Sequence, residues 1–364
     1  MDSALAALVE RIRAAAADGT PLRIRGGGTK DFHGERLQGE LLDTRVLRGV
    51  VNYEPSELVV TVRAGTPLAE LEQLLAGSGQ CLPFEPPHFG AGATVGGMVA
   101  AGLSGPARAS VGAVRDYVLG LQLVNGRGEE MVFGGQVMKN VAGYDVSRLM
   151  AGAMGTLGLI TEVSLKVLPV APAEATLRFE MTQAEALRSL NAWGGKPLPL
   201  NASRWQQDGG AAVLYLRLRG AIAAVEAARR ALGGERLVNE PAAADWRDCR
   251  EQALPWFAER GSRDLWRLSV PQTAPVLDLP EPPLVEWHGG ERWVRVAPEQ
   301  GVRVRDAALA VGGHATLFRT ARAEAGARTT PLAPALALAT IHARLKKQFD
   351  PAAIFNRGRL YPDL

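Results

Sequence analysis

Apolar positions recur along this chain in blocks whose period changes from one block to the next. The opening stretch, MDSALAALVERIRAAAADG, repeats with helical spacing and reads as an amphipathic helix. Residues 22–25 read as a short strand running into three glycines. Residues 57–64 read as a strand, 67–76 as a helix, and 118–125 as a strand that turns through NGRGE into 131–133. A helix is predicted at 146–154 and a strand at 159–168. Further on, the Ala-rich segment 221–232 reads as helix, whereas 212–218 and 293–296 are β-like. A last helix is predicted over 336–349. Strands and helices thus alternate in the first 170 residues, the pattern of an α+β protein.

One block fits none of these periods. From Phe89 to Ala107 no charge occurs, the length of a membrane helix, yet Gly92, Gly96, Gly97, Gly102, Gly105 and Pro106 fall inside it. Glycine and proline weaken a helix, so this segment serves close backbone approach, to its own core or to a bound group. Residues 26–30, GGGTK, follow a strand and form either an ordinary turn or an anion-binding nest. They lack the GxxxxGK[ST] spacing of a triphosphate loop, and no GxGxxG stands at a strand-to-helix junction. A third segment, 138–169, combines a GYD turn with glycines at 152, 155 and 158.

The order of GGGTK, YEPSELVVTVRAGTPLAELEQLL, ATVGGMVAAGLSGP, GAVRDYVLGLQLVNGRGE, KNVAGYDVSRL and GTLGLITEVSLKVLP resembles the FAD-binding domain shared by vanillyl-alcohol oxidase and p-cresol methylhydroxylase. The chain as a whole is similar to the shorter FAD-binding subunit of bacterial glycolate oxidases, densely over residues 20–170 and again at GGHATLFR and QFDPAAIFNRGRLYP. The resemblance implies a two-subdomain FAD-binding domain at 1–170, a smaller α+β cap at 171–330, and a C-terminal segment, 331–364, returning to the first domain. It implies that Gly26, Gly27, Gly28, Thr29 and Lys30 hold the diphosphate. Thr94, Val95, Gly96, Gly97, Gly102 and Gly105 would line diphosphate and ribityl from the other side. Lys139, Tyr144 and Asp145 would sit beside the flavin, Gly158, Leu159 and Ile160 at the adenine end, and Asn356 near the flavin ring.

The chain departs from its relatives at three places. Thr29 and Lys30 occupy the position of the histidine that bonds FAD covalently in some of them, so a non-covalent cofactor is expected. Met154 stands where many have Glu, and Asn356, Arg357 and Gly358 stand where many have NPG. No His-x-His or His-Glu spacing marks the metal site of longer relatives.

Composition narrows the class further. At 364 residues the chain is long for one core, and a net charge of +3 with scattered Lys and Arg gives no nucleic-acid footprint. Cys81 and Cys249 stand alone, so this chain holds neither a disulfide framework nor an iron–sulfur cluster by itself. The N-terminus lacks the layout of a signal peptide. A cytoplasmic setting is expected, with contact to the inner membrane through partners, and no transmembrane segment. All seven tryptophans lie between 193 and 293, as the core of the middle region or a cap over the flavin.

Oxidation of a 2-hydroxy acid needs a cation for the carboxylate and a base for the hydroxyl proton. His314 and Arg319 in GGHATLFR are the candidates, with His88 a second base and His342 a surface residue. The resemblance implies an FAD-dependent enzyme oxidising glycolate to glyoxylate beside a longer flavin subunit and an iron–sulfur subunit. The alternative is a non-catalytic, electron-relaying partner in the same complex. A stand-alone NADPH reductase of this fold is a third class, and nothing in the chain marks a nicotinamide site.

Overall fold

A computed structural model describes residues 2–135, 145–258, 261–321 and 336–361. The chain divides into two compact units. The first comprises Met1–Leu103, Ala113–Pro169 and Ala333–Leu364; the second comprises Ser104–Gly112 and Val170–Leu332.

In the first unit, helix α1 (Ser3–Asp18) begins where the Asp2 side chain accepts the Ala4 amide and ends at Gly19 in the left-handed region. Strands β1 (Leu22–Arg25) and β2 (Glu40–Asp43) pair in parallel. A five-stranded antiparallel sheet contains β3 (Val50–Glu54), β4 (Val59–Arg63), β6 (Val118–Val124), β7 (Glu130–Gly134) and β8 (Leu159–Lys166), in the order β3-β4-β8-β6-β7. β5 (Gln80–Cys81) and β9 (Leu168–Pro169) make a separate pair. Central strands β4 and β8 are buried along most of their length, which explains their runs of Val, Leu and Ile. Helix α2 (Leu68–Gly77) buries Leu68, Leu71 and Leu75 against this core.

The uncharged Gly-rich block contains a helix, α3 (Val95–Ala101), where glycine content argues against one. Two devices offset the weak propensity. The Thr94 hydroxyl caps the Gly97 amide at 3.2 Å, and Gly102 closes the helix in the left-handed region. Gly96 is required by packing, because a Cβ there would stand 2.6 Å from the Ala64 Cβ. The helix predicted at 146–154 is shorter, Val146–Leu149, and gives way to turns through left-handed Gly152, Met154 and Gly155.

A second core cluster joins Val9 and Ile12 of α1 to Leu22, Leu42, Val124 and Leu159, together with Ile354 and Phe355 from the chain's end. The Leu22 amide donates to the Ile354 carbonyl at 2.7 Å, and the Asn356 amide to the Leu22 carbonyl at 2.9 Å. The C-terminal helix Leu336–Phe349 precedes this return. Its Lys346 ammonium is buried and donates to Asp350 and to the carbonyls of Thr156 and Phe355, each at 2.8 Å.

The second unit is built on an antiparallel sheet of eight strands: β10 (Ala173–Glu180), β11 (Leu200–Asp208), β12 (Ala211–Gly220), β13 (Glu235–Arg236), β14 (Asp264–Ser269), β15 (Leu284–Glu286), β16 (Glu291–Val296) and β17 (His314–Arg319). Their order is β13-β10-β12-β11-β15-β16-β14-β17. One face is apolar. Leu177, Trp205, Leu214, Leu216 and Val285 pack against the helices Gln183–Gly194 and Ile222–Leu232, and Trp266, Leu268, Val294 and Val296 against Gly301–Leu309. Alternation along the strands sends Arg204, Tyr215, Arg217, Arg267, Glu286, Glu291, Trp293 and Arg295 to the opposite face. Five of the seven tryptophans are buried. No helix among the described residues is long and apolar enough to cross a membrane.

Candidate functional site

In the first unit, β1 delivers the chain into Gly26–Thr29, beside the N-terminus of α3. Gly27 lies so close to Gly92 that a Cβ would stand 1.5 Å from the Gly92 carbonyl oxygen. Gly28 has φ +73°, and a Cβ there would meet the Arg25 guanidinium at 2.0 Å. Small residues are therefore imposed by the turn itself. The amides of Gly26, Gly27, Gly28 and Thr29 donate no hydrogen bond among the described residues. They border an open cleft whose wall also includes Lys30, Thr94, Gly97, Ala100, Met154, Asn356 and Arg359.

The cations around the cleft are held in place. Arg25 pairs with Asp31 at 2.7 Å; Arg359 donates to the carbonyls of Asp31 at 3.0 Å and Lys30 at 3.3 Å. Lys30 donates to the His88 carbonyl at 3.2 Å and lies 5.7 Å from the centre of the Phe89 ring. Unclaimed main-chain N–H groups, the Thr29 hydroxyl and the Lys30 ammonium form a donor set suited to an anionic diphosphate. A dinucleotide cofactor bearing a diphosphate fits the residues present.

Among the residues singled out from the sequence, the structure gathers Gly26, Gly27, Gly28, Thr29, Lys30, Thr94, Gly97 and Asn356 around this cleft. Val95 and Gly96 do not line it; their amides donate to the Thr66 carbonyl at 2.9 Å and the Ala64 carbonyl at 2.7 Å. Gly102 closes α3 and packs on Gly152, and Gly158, Leu159 and Ile160 are buried at the start of β8. Asp145 caps Val146–Leu149 and pairs with Arg148 at 3.0 Å. Gly105 belongs to the second unit, where its carbonyl accepts from the Trp287 indole at 3.0 Å. Lys139 and Tyr144 lie outside the described residues. His88 pairs with Glu72 at 3.0 Å, and His342 is half-buried and stacked on Tyr361 rather than a free surface residue.

The second unit separates the two residues expected to act on substrate. His314 and Arg319 stand at opposite ends of β17, roughly 16 Å apart at strand rise. The Arg319 guanidinium donates to Gln252 at 3.2 Å. In place of Arg319, the sheet brings Arg267 to His314. Ser269 is opposite His314, and Arg267, two residues away on the same strand, shares its face. Partial burial and the Arg267 charge both hold the His314 imidazole below its ordinary pKa of 6.5. Arg267 also pairs with Glu291 and lies 5.0 Å from the Trp287 ring centre, with Arg108 4.4 Å from that centre.

His288, unmarked by any sequence motif, adjoins this cluster in a left-handed conformation next to left-handed Trp287. Its Nδ1 lies 3.0 Å from the Ser203 hydroxyl and its Nε2 2.9 Å from that of Ser110. Burial pushes its pKa down to about 4. Arg267 and His288 are visible as functional candidates only once the strands are in register, because neither has a partner nearby in sequence.

Residues 4–134 match the family described as FAD binding domain. A solved structure of alkyldihydroxyacetonephosphate synthase superposes with a TM-score of 0.67 over 96% of this chain and 74% of that one, at 16% identity, which shows the fold. Fold and cleft together define an FAD-binding protein of the p-cresol methylhydroxylase type, with FAD as its cofactor. Glycolate oxidase subunit GlcE of Escherichia coli (strain K12) is 45% identical over 358 residues, 98% of this chain and 97% of that protein, and the chain belongs to the same family. Glycolate oxidase subunit GlcD of Bacillus subtilis (strain 168) is 31% identical over 159 residues, 43% of this chain and 34% of that protein. A mitochondrial D-lactate dehydrogenase [cytochrome] of Arabidopsis thaliana is 33% identical over 144 residues, 39% of this chain and 25% of that protein.

Proposed function

We propose that this chain is the FAD-binding subunit of a glycolate oxidase complex that converts a small 2-hydroxy acid to the 2-oxo acid, with electrons passing to an iron–sulfur subunit beside a longer flavin subunit. Similarity to a GlcE chain at 45% identity over 98% of this chain, together with a cleft bordered by four consecutive amides that donate no hydrogen bond among the described residues, supports the reading. The amides of Gly26–Thr29, with Lys30, would hold the cofactor's diphosphate, and Asn356 and Arg359 would fix the far wall. Bound FAD supplies a two-electron acceptor. Arg267 takes the substrate carboxylate, since a guanidinium matches it with two parallel hydrogen bonds. His314 is kept neutral at physiological pH, and its free nitrogen takes the hydroxyl proton as the C–H bonding pair departs. The setting is cytoplasmic, with membrane contact through partner subunits.

A second reading, an FAD subunit that relays electrons without oxidising substrate, is favoured by the Arg267–Glu291 pair, because an internal carboxylate already occupies that guanidinium. Anaerobic addition of glycolate to the purified, FAD-loaded chain separates the two. Bleaching of the flavin absorbance is expected under the first. Persistent absorbance in a preparation whose intact complex turns over assigns the relay role.

A further inference from the structure

β15 is three residues long, Leu284–Glu286, and lies between β11 and β16. Arg204 is opposite Glu286, so β11 continues past the start of β15 through Gln206 to Asp208. β16 continues likewise to Arg295, beyond the Leu284–Trp293 pair. Beside this end of β15, and walled also by Asp245, Leu254 and Trp256 from outside the sheet, is a gap of about 560 Å³, within the range of small-molecule sites.

Arg204, Arg263 and Arg295 all line this cavity. Arg204 is 2% exposed, and its Nε is a buried donor without a hydrogen-bond partner among the described residues. Unpaired buried polar atoms are costly, and a buried guanidinium costs more than an amide. Each carboxylate in the wall already has a partner. Asp245 lies 2.7 Å from Arg204, Asp208 accepts from the Tyr215 hydroxyl at 2.6 Å, and Glu281 lies 4.0 Å from Arg263. Two of the guanidiniums thus already face a carboxylate, and the acceptor still wanting is at the buried Arg204 Nε, which an anion would supply. Arg204 and Arg295 project from strands on either side of the gap. Arg295 stacks 4.6 Å from the centre of the Trp256 ring, which gives the space between them an apolar lining.

We propose that this cavity is a binding site for a linear dicarboxylate, with one carboxylate held at the Arg204 side, the other by Arg295 and Arg263, and the carbon chain along Trp256. The proposal is independent of the 2-hydroxy acid reading, since no residue assigned to that reaction lines the cavity. The probe is succinate, titrated calorimetrically into the FAD-loaded full chain, with acetate and inorganic phosphate in parallel. Saturable binding of succinate with Kd below about 1 mM is expected, and acetate should bind at least about tenfold more weakly for want of its second carboxylate. Arg295→Gln and Arg263→Gln, both at the cavity's edge, should each weaken succinate about tenfold with flavin content and melting temperature unchanged. Arg204→Gln tests the buried end, and if that variant does not fold, Arg295→Gln decides. No saturable binding of succinate, binding that Arg295→Gln leaves intact, or phosphate binding as tightly as succinate would each overturn the proposal.

Discussion

Asn356 accepts the Ile24 amide through Oδ1 at 2.8 Å, across 332 residues of sequence. Its Nδ2 donates to the Met154 carbonyl at 2.7 Å, so one side chain ties the strand entering the Gly-rich turn to the turns that follow Leu149. Asn356 itself is left-handed, with φ +41°, a region that asparagine tolerates better than most residues. A proline at the next position would fix that loop through its ring. Here Arg357 does so by hydrogen bonds to the carbonyls of Ala352, Ala353 and Gly19.

Asn356→Leu keeps the volume and removes both bonds, leaving a main-chain donor and a main-chain acceptor at the cleft wall unpaired. Two such losses cost about 2–6 kcal/mol. Urea unfolding of the variant should show a lower midpoint at an unchanged slope, and FAD should dissociate more readily. Asn356→Asp retains the acceptor for Ile24 and should fall between the variant and the parent. Equal midpoints for Asn356→Leu and the parent would remove this clip from the account.

Gly27→Val tests the nest directly. The added Cβ would fall on the Gly92 carbonyl, which is backbone and has no rotamer in which to move away. The turn must shift, and the four amides bordering the cleft move with it. The expected outcome is folded protein with little flavin, read as the absorbance ratio at the flavin and protein bands. Full flavin stoichiometry in Gly27→Val would place the diphosphate elsewhere.

The parts of this molecule that follow from short-range chemistry were legible in the sequence. The GGGTK turn after a strand, the Ala-rich helix at 221–232, and the central strands of the first unit depend on local glycine, propensity and periodicity. The Gly-rich block was harder, because its helix depends on a Thr94 cap and on Gly96 fitting against Ala64, a contact 32 residues away. The substrate-side residues were not legible at all. Arg319 stood near His314 in sequence, yet a strand carries neighbours five apart to its two ends. The residue that shares His314's face, Arg267, is 47 positions earlier and is brought there by the antiparallel register of β14 and β17.

Two buried carboxyls in the second unit make its stability depend on pH. Glu286 and Glu291 are opposite each other on β15 and β16, and burial with their mutual repulsion raises Glu286 from 4.5 to about 8. Its oxygens accept from the Cys249 thiol at 3.1 Å and the Trp293 indole at 2.9 Å. The folded state keeps a proton that the unfolded chain has released, so this contribution is complete below pH 4.5 and is lost as pH rises to 8. Glu286→Gln keeps the shape and cannot ionise. Denaturation series at several pH values should show the parent losing stability across that window and the variant losing less. Parallel profiles would mean that Glu286 is ionised in the folded protein.

The reaction assigned to His314 and Arg267 has a pH signature that a structural role would not produce. A base works when neutral, so turnover should fall on the acid side with a midpoint below 6.5, the direction in which desolvation and then the Arg267 charge move the imidazole. Arg267→Gln removes that charge, so the acid limb should move to higher pH while KM for glycolate rises through loss of the carboxylate contact. His314→Gln should reduce kcat by about 10²–10⁴ with flavin retained. Arg319→Gln, at the far end of the same strand, should leave kcat within about twofold, since it lies roughly 16 Å from the base. The complex should be assayed with an artificial electron acceptor, so that transfer between subunits does not limit the rate. An acid limb that stays in place in Arg267→Gln, with kcat unchanged in His314→Gln, would move substrate oxidation off this chain and leave it the relay.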